Sequence, residues 1–199
     1  MNSPSLFAQQ MERRESTGPM QDMFRNNVVV SAAVGMSEFT EGTMEDVTDT
    51  GVDWDVRVLW GSRSFIGVEA AYIGASYDTT GARGSSTTLY SNGLETAVRM
   101  NLMQISTGAV ATQAWQPYVL GGVAWKNYQL DDSLQSAELR SSDDTMEVPV
   151  AAGVSFYFPN RLMVDARAAY RFGVASDLVR IGEASTDNWN LSGRVGWMF

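Results

Sequence analysis

Apolar and polar residues alternate strictly along much of this chain. In residues 51–61, GVDWDVRVLWG, Val52 and Trp54 fall on one parity, and Asp53 and Asp55 fall on the other. Alternation with a period of two predicts a β-strand with one apolar face and one polar face. Seven further segments repeat the pattern, and they cover residues 27–37, 65–77, 92–102, 116–128, 148–158, 162–172 and 188–199. The chain is therefore predicted to contain eight strands of about ten residues each.

The segments between the predicted strands alternate between two lengths. GSRS and PNR are tight turns, whereas the polar segments around residues 38–50, 78–88, 131–147 and 173–187 are longer. A third short connection, QISTGAVATQA, is longer than the other two. An even number of strands, with short turns at one end and long loops at the other, is typical of an antiparallel up-and-down barrel. Tilted strands of about 9 to 11 residues also match the thickness of a bilayer.

The alternation alone does not determine which face points outward, because a soluble barrel would turn its apolar face inward. An eight-stranded interior is only wide enough for packed side chains, and the apolar parity contains five tryptophans that would overfill it. These are Trp54, Trp60, Trp125, Trp189 and Trp197. Aromatic residues of this parity also lie near strand ends, as in the girdles of outer-membrane barrels. The predicted fold is therefore all-β, an eight-stranded antiparallel up-and-down transmembrane β-barrel.

Composition excludes several classes of function. The chain has 199 residues, no cysteine, no histidine and a net charge of −9. Disulfides and thiolate chemistry are therefore absent, as are the commonest general base and metal ligand. The charge has the wrong sign for wrapping nucleic acid. No arrangement of carboxylates, or of serine and lysine, points to an active site, so we expect no enzymatic activity, no cofactor and no metal.

The polar parity of the predicted strands supplies charged residues to the barrel interior. We predict a lumen charge network of five acids and six bases: Asp53, Asp55, Glu69, Glu95 and Asp165, with Arg57, Arg99, Lys126, Arg167, Arg171 and Arg194. Buried charges are normally paired, so the first interpretation is a structural core of salt bridges. An ion path, or a carboxylate pair acting in acid–base chemistry, is the alternative.

The last strand carries a more specific pattern. Leu191, Val195, Trp197 and Phe199 alternate up to the terminal residue. This arrangement resembles the C-terminal signal by which bacterial outer-membrane proteins are recognised for barrel assembly. In addition, QPYVLGGVAW resembles the Pro-Tyr-Val-x-x-Gly-x-Gly strand of the OmpA/OmpX-like superfamily of small barrels, although Gly121 and Gly122 depart from its alternating glycines.

The resemblance implies an integral protein of the Gram-negative outer membrane that depends on the barrel-assembly machinery. It covers the barrel only, without the periplasmic peptidoglycan-binding domain of OmpA. We divide the chain into an N-terminal periplasmic segment, residues 1–25, and an outer-membrane barrel, residues 26–199. Both termini are expected in the periplasm and the long loops outside the cell.

The predicted loops are strongly acidic. They contain fifteen acidic and three basic residues, and the acids include Asp78, Asp144 and Glu147. Such a surface is either simply solvated or binds divalent cations, including cations that bridge to lipopolysaccharide. We expect a structural or interaction role, as a subunit or anchor of an envelope assembly, with a possible protein partner at residues 1–25. A narrow porin-like ion channel and a surface adhesin acting through the loops are the alternatives.

Overall fold

The computed structural model describes residues 28–40, 49–80, 86–102, 105–106, 114–130, 142–175 and 187–199. The predicted N-terminal segment, residues 1–25, lies outside this part. Within the described ranges, no helix is long and apolar enough to cross a membrane.

The described chain forms strands joined in sequence order. β1 spans Val28–Phe39, β2 Gly51–Trp60, β3 Ile66–Thr80, β4 Ser86–Asn101, β5 Ile105–Ser106, β6 Ala114–Leu130, β7 Ser142–Tyr157, β8 Leu162–Ala175 and β9 Asn188–Met198. Apart from β4 and β5, each strand pairs antiparallel with the next one along the chain. The two-residue β5 contacts only the start of β6, and β4 pairs directly with β6 beyond it.

Pairing of β1 with β9 closes the sheet. The wall therefore consists of eight strands in up-and-down order, which confirms the predicted fold class. We call the end with Val28 and Phe199 the terminal end, and the opposite end the distal end. At the terminal end, the Phe199 amide donates to the Val28 carbonyl over 2.9 Å.

The strands are staggered around the barrel. Successive pairing partners lead from Met146 through Trp125, Leu94, Tyr72, Val56, Ala32, Val195 and Val164 back to β7 at Phe156. The path begins and ends on the same strand, ten residues apart. A stagger of this kind tilts strands by roughly 35–45° from the barrel axis.

The two parities of each strand face opposite sides, as the alternation predicts. Val34, Val52 and Leu94 are exposed on the outer face, and charged residues are buried on the inner face. Aromatic pairs lie on the outer face towards both ends. Trp54 packs against Tyr72 at a centroid distance of 5.5 Å near the distal end, and Trp115, which sequence analysis missed, packs against Phe156 at 4.8 Å near the terminal end.

Five neighbouring strands are longer than predicted. β3, β4, β6, β7 and β8 contain 14 to 17 residues, whereas β1, β2 and β9 contain 10 to 12. Asp78, Asp144 and Glu147, which we assigned to loops, therefore lie in strands. The prediction was wrong there because polar residues occupy both faces near the distal end, so the hydropathy pattern ends before the strand does.

Hydrophobic and aromatic residues close both ends of the lumen. Val29, Leu59, Tyr157 and Met163 form a buried cluster at the terminal end. At the distal end, the ring of Phe39 lies 4.8 Å from that of Tyr77 and 6.4 Å from that of Tyr128. The polar middle of the lumen is thus enclosed between two apolar layers.

Two adjacent glycines of β6 have opposite surroundings, which allows a matched test of the close approach of β4 to β6. A Cβ added at Gly122 would clash with the Thr96 carbonyl oxygen and lie 2.8 Å from Ala97 Cα. A Cβ at Gly121 would meet only the Pro149 carbonyl oxygen, at 4.0 Å. We expect Gly122→Ala to reduce the free energy of unfolding by about 2–3 kcal/mol, since the backbones of β4 and β6 must separate.

Gly121→Ala is the control and should leave stability unchanged within about 1 kcal/mol. Urea unfolding of protein refolded in lipid vesicles measures both values. Equal effects of the two substitutions would contradict the described approach of β4 to β6.

Candidate functional site: the lumen charge network

The inward parity of six strands gathers charged side chains in the middle of the lumen. β2, β3, β4, β6, β8 and β9 carry the eleven residues that sequence analysis assigned to this network, while the inward residues of β1 are uncharged. Ten of the eleven are buried, and Asp53 is partly buried. Charges removed from water need partners, so the pairing pattern decides what this site can do.

Glu69 is the hub of the network. Its carboxylate receives Arg57 Nη1 at 2.8 Å, Arg167 Nη2 at 2.9 Å and Arg99 Nη1 at 3.4 Å. The side chain is 1% exposed. Three guanidinium groups can lie this close together because the buried carboxylate between them offsets part of their mutual repulsion.

Arg57 extends the network towards the distal end. Its Nη2 lies 2.7 Å from Glu95 Oε1 and 3.5 Å from Asp55 Oδ2. Glu95 also pairs with Arg171, at 2.7 Å. Charges from β2, β3, β4 and β8 are therefore joined through one arginine.

Asp165 holds the other side of the network. Arg194 Nη1 lies 3.0 Å from Asp165, and Arg194 Nη2 lies 2.6 Å from Asp55. Ser155 donates to Asp165 Oδ2 over 2.7 Å, and Tyr118 donates to Asp165 Oδ1 over 3.0 Å. The Arg194 guanidinium thus links β8 to β2 across the β9 and β1 strands.

Tyr118 is a member that sequence analysis did not assign. Its hydroxyl accepts Arg167 Nε at 2.8 Å, and Arg99 Cζ lies 3.5 Å from the centre of its ring. A cation over an aromatic face is stabilised by the ring quadrupole. Gly153 makes room for this arrangement, since a Cβ there would clash with the Tyr118 ring and hydroxyl.

Glu147 is a second missed member and changes the charge balance. It lies on β7, where its carboxylate pairs with Lys126 Nζ at 2.9 Å and accepts the Tyr128 hydroxyl at 2.8 Å. With Glu147 included, the lumen contains six acids and six bases among the described residues. Its parity, one residue before outward Val148, is the sequence signal that could have placed it inside.

Asp53 is held differently from the other lumen acids. Asn190 Nδ2 donates to Asp53 Oδ2 over 2.7 Å. Within the described part of the chain, no arginine or lysine nitrogen lies within 4.0 Å of this carboxylate. Asp53 is therefore joined to the network by a neutral amide.

The residues of the predicted assembly signal lie together on β9 and directly after it. Leu191, Val195, Trp197 and Phe199 are all exposed on the outer face. Val195 pairs with Ala32, and Trp197 pairs with Val30, so this strand completes the wall against β1. The structure shows the geometry of the closing strand, and recognition of the strand stays a prediction.

The charged groups of the lumen are arranged to pair with one another. The described residues contain no group of three or more metal-ligating acids that could hold an ion together. The carboxylates of the central network accept hydrogen bonds from guanidinium or hydroxyl groups. The arrangement fits a rigid, electrically balanced core that ties the strands of the wall together.

Solved structures similar to this chain are small barrels. Neisserial surface protein A aligns with a TM-score of 0.61 and 14% identity, over 86% of this chain and 97% of that one. Outer membrane protein AlkL, determined in DMPC bilayers, aligns with a TM-score of 0.53 and 15% identity, over 100% and 96%. The N-terminal barrel domain of Pseudomonas aeruginosa OprF gives 0.50 and 15%, over 87% and 98%. No family model and no curated protein matches the chain. This similarity establishes the fold, which is that of small outer-membrane barrels.

Removing the charge of the hub should destabilise the barrel. Glu69→Gln keeps the shape of the side chain but leaves Arg57, Arg99 and Arg167 close together without it. We expect a loss of about 3–5 kcal/mol in the free energy of unfolding, as found when one partner of a buried ion pair is removed. Urea unfolding in lipid vesicles provides the measurement.

Asp78→Asn is the matched control, because Asp78 lies exposed on the outer face of β3. Its expected effect is within about 0.5 kcal/mol. If the two variants unfold alike, the network does not stabilise the wall.

Proposed function

We propose that this chain, which has the fold of small outer-membrane barrels, is an integral protein of the bacterial outer membrane with a structural or interaction role and no enzymatic activity. The observation that carries the proposal is the arrangement of the two faces. The outer face is apolar and the inner face is filled by paired charges. In lipid, a closed barrel satisfies its backbone hydrogen bonds and has no open edge.

Exposed aromatic residues at two levels of the outer face support this location. Towards the terminal end, Trp115, Trp197 and Phe199 are exposed, and towards the distal end Trp54 and Trp125 are exposed. Aromatic residues at two levels are typical of the interfaces of outer-membrane barrels. In this orientation the terminal end lies in the periplasm and the distal end outside the cell, with lipid and lipopolysaccharide around the wall.

The filled lumen argues against a channel. Six acids and six bases are paired or hydrogen-bonded in the middle, and apolar layers lie on both sides of them. An eight-stranded interior has room for side chains but not for a continuous column of water. The barrel is therefore proposed to anchor or present other parts of the protein, including the acidic loop segments and residues 1–25 as a contact for an envelope partner.

A surface-interaction role is the second candidate, and the unequal strand lengths favour it. β3, β4, β6 and β7 extend furthest at the distal end, and their outer face becomes polar there. Asn127 Nδ2 donates to Asp144 Oδ1 over 2.9 Å, and Gln129 Nε2 donates to Asn127 Oδ1 over 2.7 Å. A polar sheet that stands beyond the membrane would supply a rigid contact surface for an adhesin.

Conductance tests the central proposal. Purified protein in planar bilayers should give no steady current above the lipid baseline, because side chains fill the lumen. The Glu95→Gln variant serves as the comparison. Steady current steps in the unmodified protein, with an ion selectivity that changes in Glu95→Gln, would show that ions pass the network and would favour the narrow channel instead.

The location and the proposed assembly signal are tested together in cells. We expect the unmodified chain in the outer-membrane fraction, in a form whose gel mobility changes only on boiling, since closed barrels resist detergent.

Deletion of Phe199 should lower the amount of assembled protein several-fold, while the purified variant still refolds in detergent. The deletion removes a feature used for recognition by the assembly machinery, but it removes only one exposed side chain from the folded barrel. Val34→Ala, at an exposed apolar position of β1, is the control and should assemble normally. Unmodified protein found in the soluble fraction would refute the membrane location, and normal assembly without Phe199 would refute the signal.

A further inference from the structure

A small cavity lies in the distal half of the lumen, beside the central network. Its volume is about 10 Å³, which is close to the space that one water molecule needs. The charged residues of its lining are two acids and two bases, Asp53, Asp55, Lys126 and Arg171. The cavity is therefore polar, and its lining carries no excess of either charge.

The residues that line the cavity carry both acceptors and a donor without a hydrogen-bond partner among the described residues. The acceptors are Asp53 Oδ1, Asp55 Oδ1 and Asn190 Oδ1, and the donor is Arg171 Nε. Asn190 is 5% exposed and Arg171 is 7% exposed. Buried polar atoms without a partner are costly, and in native proteins an ordered water usually satisfies those that protein groups do not.

The remaining polar atoms of these side chains hold them in place. Asn190 Nδ2 donates to Asp53 Oδ2 over 2.7 Å, and Arg171 Nη2 donates to Glu95 Oε2 over 2.7 Å. Turning either side chain to pair its other atom would break one of these contacts. A molecule in the cavity can satisfy the unpaired atoms without that loss.

We propose that one water molecule is a fixed member of this core. It accepts a hydrogen bond from Arg171 Nε and donates to two of the three unpaired oxygens, Asp53 Oδ1 among them. Water fits this lining because it is neutral and can accept and donate at once. A cation would be repelled by Lys126 and Arg171, whereas an anion would be repelled by the two carboxylates.

This water gives Asp53 a connection that the direct contacts do not supply. Asp53 has no ion pair among the described residues and is held by the neutral amide of Asn190. Through the water it is joined to Arg171, and through Arg171 to Glu95 and the central network. The bound molecule thereby links β2 to β8 across the lumen.

Proton-detected solid-state NMR of the protein in deuterated lipid vesicles tests the proposal. The experiment measures magnetisation transfer from water to the Nε–H of each arginine at short mixing times. Arg57 is the matched control, because its Nε is also buried without a partner among the described residues, while Arg57 does not line the cavity. We expect a water cross-peak at Arg171 and none at Arg57.

Ala75→Val removes the space for the water, because Ala75 lines the cavity and lies opposite Asp53 on β3. The Arg171 cross-peak should be lost in this variant. The proposal is overturned if the unmodified chain gives no cross-peak at Arg171, or equal cross-peaks at Arg171 and Arg57, since equal transfer would show water throughout the lumen. Persistence of the Arg171 cross-peak in folded Ala75→Val would overturn it as well. If Ala75→Val does not fold, the comparison of Arg171 with Arg57 in the unmodified chain decides the question.

Discussion

Neutralisation of charge inside a closed wall is the constraint on which the rest of this structure depends. An apolar outer face leaves only the inner face for charged residues, and an eight-stranded barrel has no room for bulk water around them. Each arginine therefore needs a carboxylate at contact distance. Glu69 meets this need for three arginines, and Arg57 joins three carboxylates in return. The resulting core is polar but electrically balanced.

Steric room for this core comes from glycines on the neighbouring strands. Gly153 leaves space for the Tyr118 ring, and Gly35 leaves space for the Asp53 carboxylate, because a Cβ at either position would clash with those side chains. Each of these side chains thus lies over the glycine at the paired position of the neighbouring strand. The same pairs of positions therefore provide both the space for these side chains and the placement of polar groups in the lumen.

The sequence predicts the barrel more completely than it predicts the network. Strict alternation identified every wall strand, since each apolar face is continuous over several residues. Alternation weakened near the distal end, so Glu147 was assigned to a loop although its parity faces Lys126. Which acid pairs with which base in the lumen could not be predicted from the sequence. The contact between Glu69 and Arg167 depends on the stagger of the strands, which no local pattern specifies.

The separation of these partners along the chain has a consequence for how the protein reaches its native state. Arg194 contacts Asp55, which is 139 residues away, and Arg167 contacts Glu69, which is 98 residues away. Contacts between distant residues form late, because long chain segments must first be brought together. A partly built sheet would therefore expose unpaired guanidinium and carboxylate groups. Intermediates with some strands missing are high in free energy, so folding of this barrel is expected to be concerted, with the ion pairs forming as β9 docks onto β1.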